Sequence, residues 1–463
     1  MKKAQIESTA TLQEAIQHIE QTGLGFVCVL KEKKFFGLLE DSDVRRALLK
    51  GYSITSAIED IVNTQPITVD KKWTKQSIKK LVQKKELKSI LPLYGTIPIP
   101  VVDADEVIDI LYVSKNGYVG CLQKGYKGNP IHRILVIGGA GYLGSVLCEK
   151  LLNKGYIVRV LDNLTYGKSG LLTHLKNERY EFIEGDIRNI PTVVDALKNV
   201  DAVIHLAAIV GDAACAYSPQ ETLEINYFST RMIAEICKHY QINRFMFAST
   251  CSVYGASKNK RLLTEASETN PVSLYAEAKL QSEEAILDLA DETFSPTILR
   301  MATLFGASPR MRFDLVANLF AVRSFYKSKI EIFGGDQWRP LVHVSDAADA
   351  YVKCLEAPIY NVKAQIFNIG RNEFNMQIKQ FKTIFNMIDP TTHVHINTEV
   401  DDERNYYVDF SKAHGYLDYE PSISVQKGIE EMTQLFKEGM FEDYKNERYN
   451  NYTYLKGNKK ERW

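Results

Sequence analysis

Two side chains in the segment PVSLYAEAKLQSEEA are spaced to act together. Tyr275 and Lys279 lie four residues apart at the start of a helical pattern, which puts them on one helix face. A free tyrosine has a pKa of about 10 and is a poor base near neutrality unless its phenolate is stabilised, and an ammonium one turn away does this. Such a pair can take a proton from a substrate hydroxyl. The same spacing also occurs on an ordinary solvated helix face, so the elements that would hold a substrate beside it decide its meaning.

Those elements begin at a glycine cluster. Gly138, Gly139, Ala140, Gly141, Tyr142, Leu143 and Gly144 follow the strand-like run Ile134 to Ile137 and open the helix-like VLCEKLLNKG. Glycines are needed there for a tight turn, for close approach of the backbone to a pyrophosphate, and for packing of helix on strand. The helix N-terminus offers free N–H groups and partial positive charge to the phosphates. Asp162 ends the second strand-like run, 24 residues beyond Gly138. An acid in that place bonds both hydroxyls of an adenosine ribose and repels a 2′-phosphate, favouring NAD over NADP. A third strand, Tyr180 to Ile183, leads to Gly185, Asp186 and Ile187, and the next, AVIHLAA, ends in Leu206, Ala207 and Ala208. Singly, the glycines fit a simple turn and HLAA fits strand packing. In this order they predict a dinucleotide site.

Together with STCSVYG and the Tyr275/Lys279 pair, these motifs resemble the NAD-dependent nucleotide-sugar epimerases and dehydratases, an extended short-chain dehydrogenase family, over residues 132 to about 435. The resemblance implies a Rossmann-type doubly wound parallel α/β sheet with a smaller C-terminal substrate-binding α/β subdomain. It implies that Thr250 hydrogen-bonds the reacting oxygen, that Tyr275 is the base, and that Lys279 also holds the nicotinamide ribose. Asn163, Asp186 and Ile187, with Leu206, Ala207 and Ala208, would line the cofactor. Asn318, Arg339 and Arg404 would grip the nucleoside diphosphate, arginine being suited by its paired charge-assisted bonds to phosphate oxygens. The family's 4,6-dehydratases carry Asp and Glu directly after the Thr, where this chain has Cys251 and Ser252, so elimination of water is disfavoured. Cys251 itself is read as a packing thiol, the lesser alternative being an acid or base, as a thiol serves in some 3,5-epimerases. Thr303 stands where galactose epimerases usually have Asn, and His343 and Asp346 read as structural. The activity implied is epimerisation of a nucleoside-diphosphate hexose by transient oxidation at C4. A sugar-nucleotide dehydrogenase or ketoreductase is the alternative, and a non-catalytic adenine-nucleotide sensor is an alternative of another class.

The first 125 residues carry a diverged internal repeat. TLQEAIQHIEQTG, GFVCVL and KEKKFFGLLEDSDVRRALLKG are echoed by TKQSIKKLVQKKELKSI and IPIPVVDADEVIDILYV, each copy being a helix and two strands, with a further helix near Asp43 in the first copy only. This α+β unit resembles a tandem pair of cystathionine β-synthase type (CBS) domains. The resemblance implies AMP, ADP or ATP bound near Asp43, but Glu40 replaces the usual hydroxyl residue, and a purely structural or dimerising role is the equal alternative. The expected organisation is a CBS pair at 1–125, a linker at 126–132 within the Gly-, Lys- and Asn-rich stretch after Ser114, the enzyme domain at 133–440, and a tail at 441–463 with no assigned role.

Composition excludes other classes. Lys plus Arg and Asp plus Glu are both 57, which removes the basic footprint of a nucleic-acid binder. The seven cysteines are scattered without CxxC or Cys/His clusters, which argues against a structural metal and for reduced thiols. No apolar run approaches a membrane span. The reading is cytoplasmic, with a homodimer or homotetramer expected from the resemblance.

Overall fold

The run Arg133–Ile137 has four consecutive aliphatic side chains, all fully buried, and each contributes roughly 1.5–3 kcal/mol relative to exposure. A strand apolar on both faces belongs in the middle of a parallel sheet covered by helices. In the computed structural model, which describes residues 4–22, 24–84, 87, 96–114, 117–122, 133–255, 262–291, 293–399 and 405–457, it lies third of seven strands. In spatial order these are Tyr180–Glu184, Ile157–Asp162, Arg133–Ile137, Ala202–His205, Arg244–Thr250, Ser295–Met301 and Gln365–Ile369. Every neighbouring pair is parallel. The strand order reverses between Arg133–Ile137 and Ala202–His205, and a doubly wound sheet binds ligands at the strand ends beside that switch point.

Beyond this sheet, the helix Val316–Lys327 and two small sheets form the C-terminal subdomain. Trp338–His343 pairs with Thr303–Phe305 and Asn375–Gln377, and Lys329–Phe333 pairs with His393–Asn397. His343 caps the helix Val344–Glu356, its ring nitrogen accepting from Ser345 N, and the Asp346 carboxylate accepts from Ser422 N and Ile423 N. Both are structural, as their sequence setting implied.

The chain divides into two compact units, residues 1–131 and 132–463. The first contains two similar modules. Gln5–Glu7, helix Leu12–Thr22, Phe26–Lys31 and Lys34–Glu40 make one three-stranded sheet, followed by helix Asp41–Leu49. Val69–Asp70, helix Lys75–Leu81, Ile97–Asp103 and Glu106–Ser114 repeat the plan, and a strand, Gly117–Cys121, stands where the first module has its second helix. That strand lies within the Gly-, Lys- and Asn-rich stretch after Ser114. Its partner Glu106–Ser114 recruits it by antiparallel pairing, which alternation in its own short sequence does not announce. The expected linker at 126–132 lies outside the described residues. Phe26, Cys28 and Leu38 of one module share a core with Val107, Ile110 and Tyr112 of the other.

Candidate active site

The turn after Arg133–Ile137 is built from glycines that have no room to be anything else. Gly138 has φ +86°, and a Cβ there would lie 2.6 Å from Ala207 N; one at Gly144 would lie 2.3 Å from the Gly138 carbonyl oxygen. Gly141 caps the helix Tyr142–Asn153 without a side-chain bond, so its first N–H groups remain available to an anion. The Asp162 carboxylate accepts from Ala140 N (3.0 Å) and Leu164 N (2.9 Å), and burial raises its pKa above the usual carboxylate value. Burial also pushes on Asp186, but its bonds from the Arg188 guanidinium and backbone outweigh that and leave its pKa low. Asn163 Nδ2 reaches toward Asp186 at 3.5 Å. These residues fit a dinucleotide: no side chain keeps a pyrophosphate off the turn, and a fixed acid stands at the end of the second strand.

A cleft of about 890 Å³ runs along these strand ends and continues over the C-terminal subdomain. Gly138, Gly141, Tyr142, Leu143, Gly144, Asp162, Asn163, Asp186, Ile187, Leu206, Ala207 and Ala208 all line it, as do Thr250, Tyr275, Lys279 and Arg339. Tyr275 stands in the first turn of the helix Leu274–Leu287, whose N-cap Ser273 accepts from Ala276 N and donates to Asp212. Burial raises the Tyr275 pKa, opposed in part by a hydrogen bond with Thr250. One turn on, Lys279 is buried. Its ammonium donates to the Ala248 carbonyl at 2.8 Å and lies 4.5 Å from the Phe247 ring centre. Desolvation brings its pKa down to about 8, with Cys215 and Glu283 opposing. Thr250 Oγ1 donates to Ser252 Oγ and accepts from Ser252 N, both at 3.1 Å.

Behind Thr250 lies a buried ion pair. Arg300 donates to both oxygens of Glu283 and to the Tyr254 hydroxyl, which in turn donates to Asn368; Ser249 also bonds Glu283. This network holds the loop Cys251–Tyr254 against the sheet. Cys251 is part of that packing: its thiol donates to the Arg300 carbonyl, and burial raises its pKa.

Asn318, expected to grip the nucleoside diphosphate, is not among the residues lining the cleft. Its side chain is fully buried, accepting from Gly306 N and donating to the Tyr142 hydroxyl and the Arg312 carbonyl. With its amide committed on both sides, it ties a loop to the glycine-turn helix and is not on the cleft wall. Arg404 lies outside the described residues. Arg339 is buried beside the cleft, its guanidinium 5.2 Å from the ring centre of Tyr406. Asp43 belongs to the N-terminal unit, where its carboxylate accepts from Glu40 N and pairs with Arg46, capping a helix. Gly37 lacks room for a Cβ because Asn63 crosses it, at 2.4 Å.

Sequence reasoning missed Arg310, Arg312, Arg323, Tyr406 and Asn451, all on the cleft. The alternate arginines of SPRMRFD were the available signal for the first two; Asn451 had none, because its place depends on how the tail folds back.

Residues 134–370 match the model of the NAD dependent epimerase/dehydratase family. The chain belongs to that family. A UDP-glucuronic acid decarboxylase of Arabidopsis thaliana is 29% identical, covering 76% of this chain and 80% of its own. The UDP-glucose 4-epimerase of Bacillus subtilis is 30% identical, covering 51% and 76%. The crystal structure of UDP-glucuronic acid 4-epimerase from Bacillus cereus in complex with UDP-glucuronic acid and NAD superposes with TM-score 0.60 at 28% identity, covering 66% and 99%. The family's NAD dependence agrees with the cleft described above. Among the described residues no helix is long and apolar enough to cross a membrane, and no group of three or more His, Cys, Asp or Glu is placed to hold a metal.

Proposed function

We propose that this family member is a nucleoside-diphosphate-sugar 4-epimerase. Thr250, Tyr275 and Lys279 line one cleft, and the two positions after Thr250 hold the buried thiol Cys251 and the hydroxyl of Ser252 in place of an acid and base for eliminating water. NAD bound in the cleft supplies the hydride acceptor and donor. Thr250 hydrogen-bonds the sugar hydroxyl and Tyr275 takes its proton, then returns it after the keto-sugar has rotated. In this reading the Lys279 ammonium, one helical turn away, favours the phenolate of Tyr275. Arg339 is assigned to the substrate's phosphates, and Arg404 is proposed for the same task from its sequence setting.

Purified protein incubated with UDP-, GDP-, CDP- and dTDP-sugars, including UDP-glucuronic acid, and followed by proton NMR tests this reading. A new epimer without added cofactor supports it. A keto-sugar, or turnover only with stoichiometric NAD, identifies a dehydrogenase or reductase, and carbon dioxide from UDP-glucuronic acid identifies a decarboxylase.

The N-terminal repeat is proposed as a CBS-type unit that binds AMP, ADP or ATP and biases the active population, which requires different affinities for two states. A homodimer or homotetramer is proposed for the assembly.

A further inference from the structure

The tail beyond the helix Val425–Lys437 does not lie idle. Phe441 and Tyr449 pack their rings on Phe313, at 5.7 and 5.1 Å, and Phe313 N donates to the Tyr449 carbonyl. The following helix, Asn451–Gly457, sets Leu455 into a cluster with Ile209, Ala214 and Cys215, to which Tyr275 also packs. At the junction Asn451 is 1% exposed: its backbone N–H donates to Asp314 and its side-chain oxygen accepts from Arg310 Nη2 at 2.7 Å.

Arg310 is itself 3% exposed, lies with its guanidinium 4.4 Å from the Tyr166 ring centre, and keeps a buried Nε that has no partner among the described residues. Its approach to the cofactor turn is set by the residues before it. Gly306 accepts from the Tyr142 hydroxyl at 2.6 Å, and Ser308 donates to the Tyr142 carbonyl at 2.7 Å while bonding Ser145 at 3.0 Å. The loop is thus pinned to the first turn of Tyr142–Asn153, and the cation following it lines the same cleft as Gly138 and Gly141. A buried guanidinium with an unused donor is costly unless an oxygen meets it, and a diphosphate at this helix N-terminus presents anionic oxygens.

We infer that the tail 441–457 is a strap of the dinucleotide site, in which Asn451 is a positioning residue that aims Arg310 at the cofactor's pyrophosphate. The inference rests on dinucleotide binding in this cleft. Competition against NADH fluorescence, which reads the cleft alone, tests it with the full chain freed of nucleotide. Asn451→Leu weakens ADP-ribose roughly tenfold or more, the size of one charge-assisted bond, and leaves adenosine within twofold. Asn451→Asp, which keeps an acceptor for Arg310, retains wild-type ADP-ribose affinity, and Arg310→Met reproduces the selective loss from the other partner. Equal loss of ADP-ribose and adenosine, or no loss of either, would overturn the inference while leaving dinucleotide binding intact. Wild-type protein that binds neither NADH nor ADP-ribose would overturn both.

Discussion

Tyr275 and Lys279 have opposed electrostatic problems. Burial disfavours both the phenolate and the ammonium, raising one pKa and lowering the other. Tyr275→Phe removes the base and lowers kcat by about 10²–10⁴, while the NAD released on denaturation stays at the wild-type amount; loss of cofactor together with activity would assign the residue to binding instead. Lys279 carries a pH signature. Its pKa falls from 10.5 to about 8, so the free enzyme loses the ammonium as pH rises through about 8, and kcat/KM falls there. Lys279→Met abolishes this alkaline limb from a lower plateau. For stability the sign is opposite: between about 8 and 10.5 the unfolded chain binds the extra proton, so this group makes the fold more stable with rising pH.

At the scale of elements, the glycine turn and the Glu283–Arg300 pair position everything else. Gly144→Ala would drive a Cβ into the Gly138 carbonyl, prying helix from strand, and dialysis equilibrium should show NAD affinity lost with it. Arg300→Met leaves the Glu283 carboxylate buried without its cation, which costs about 3–5 kcal/mol and is read by urea unfolding; a change below about 1 kcal/mol would mean the pair contributes little. The parallel strands and the glycine turn were legible in the sequence because their signals are local: an apolar run, a glycine spacing, an acid at the end of the next strand. The role of Asn318 was not, since a motif position says nothing about which of several neighbours its amide will meet. In the structure Tyr142, 176 positions away in sequence, claims it. The strand Gly117–Cys121 and the strap residue Asn451 were likewise invisible, because their order comes from partners distant in sequence.

For the whole molecule, two units with separate cores share one chain, and the repeat plan of the first is as plain in the fold as it was in the sequence. Asp43, the residue expected to touch a nucleotide there, spends its carboxylate on a helix cap and Arg46, so an adenine nucleotide would have to compete with those bonds. If the unit regulates, AMP or ATP shifts KM or kcat of the full chain; superimposable curves across the nucleotide range would remove that role.

Transient oxidation at C4 is read in the fate of the hydrogen on that carbon. A substrate found by the sugar-nucleotide panel, deuterated at C4, should yield an epimer that retains the deuterium at C4, with none exchanged for solvent protons, as proton NMR and mass spectrometry read it. Epimer whose C4 has lost deuterium to solvent, or inversion at another carbon with C4 untouched, would rule out transient oxidation at C4.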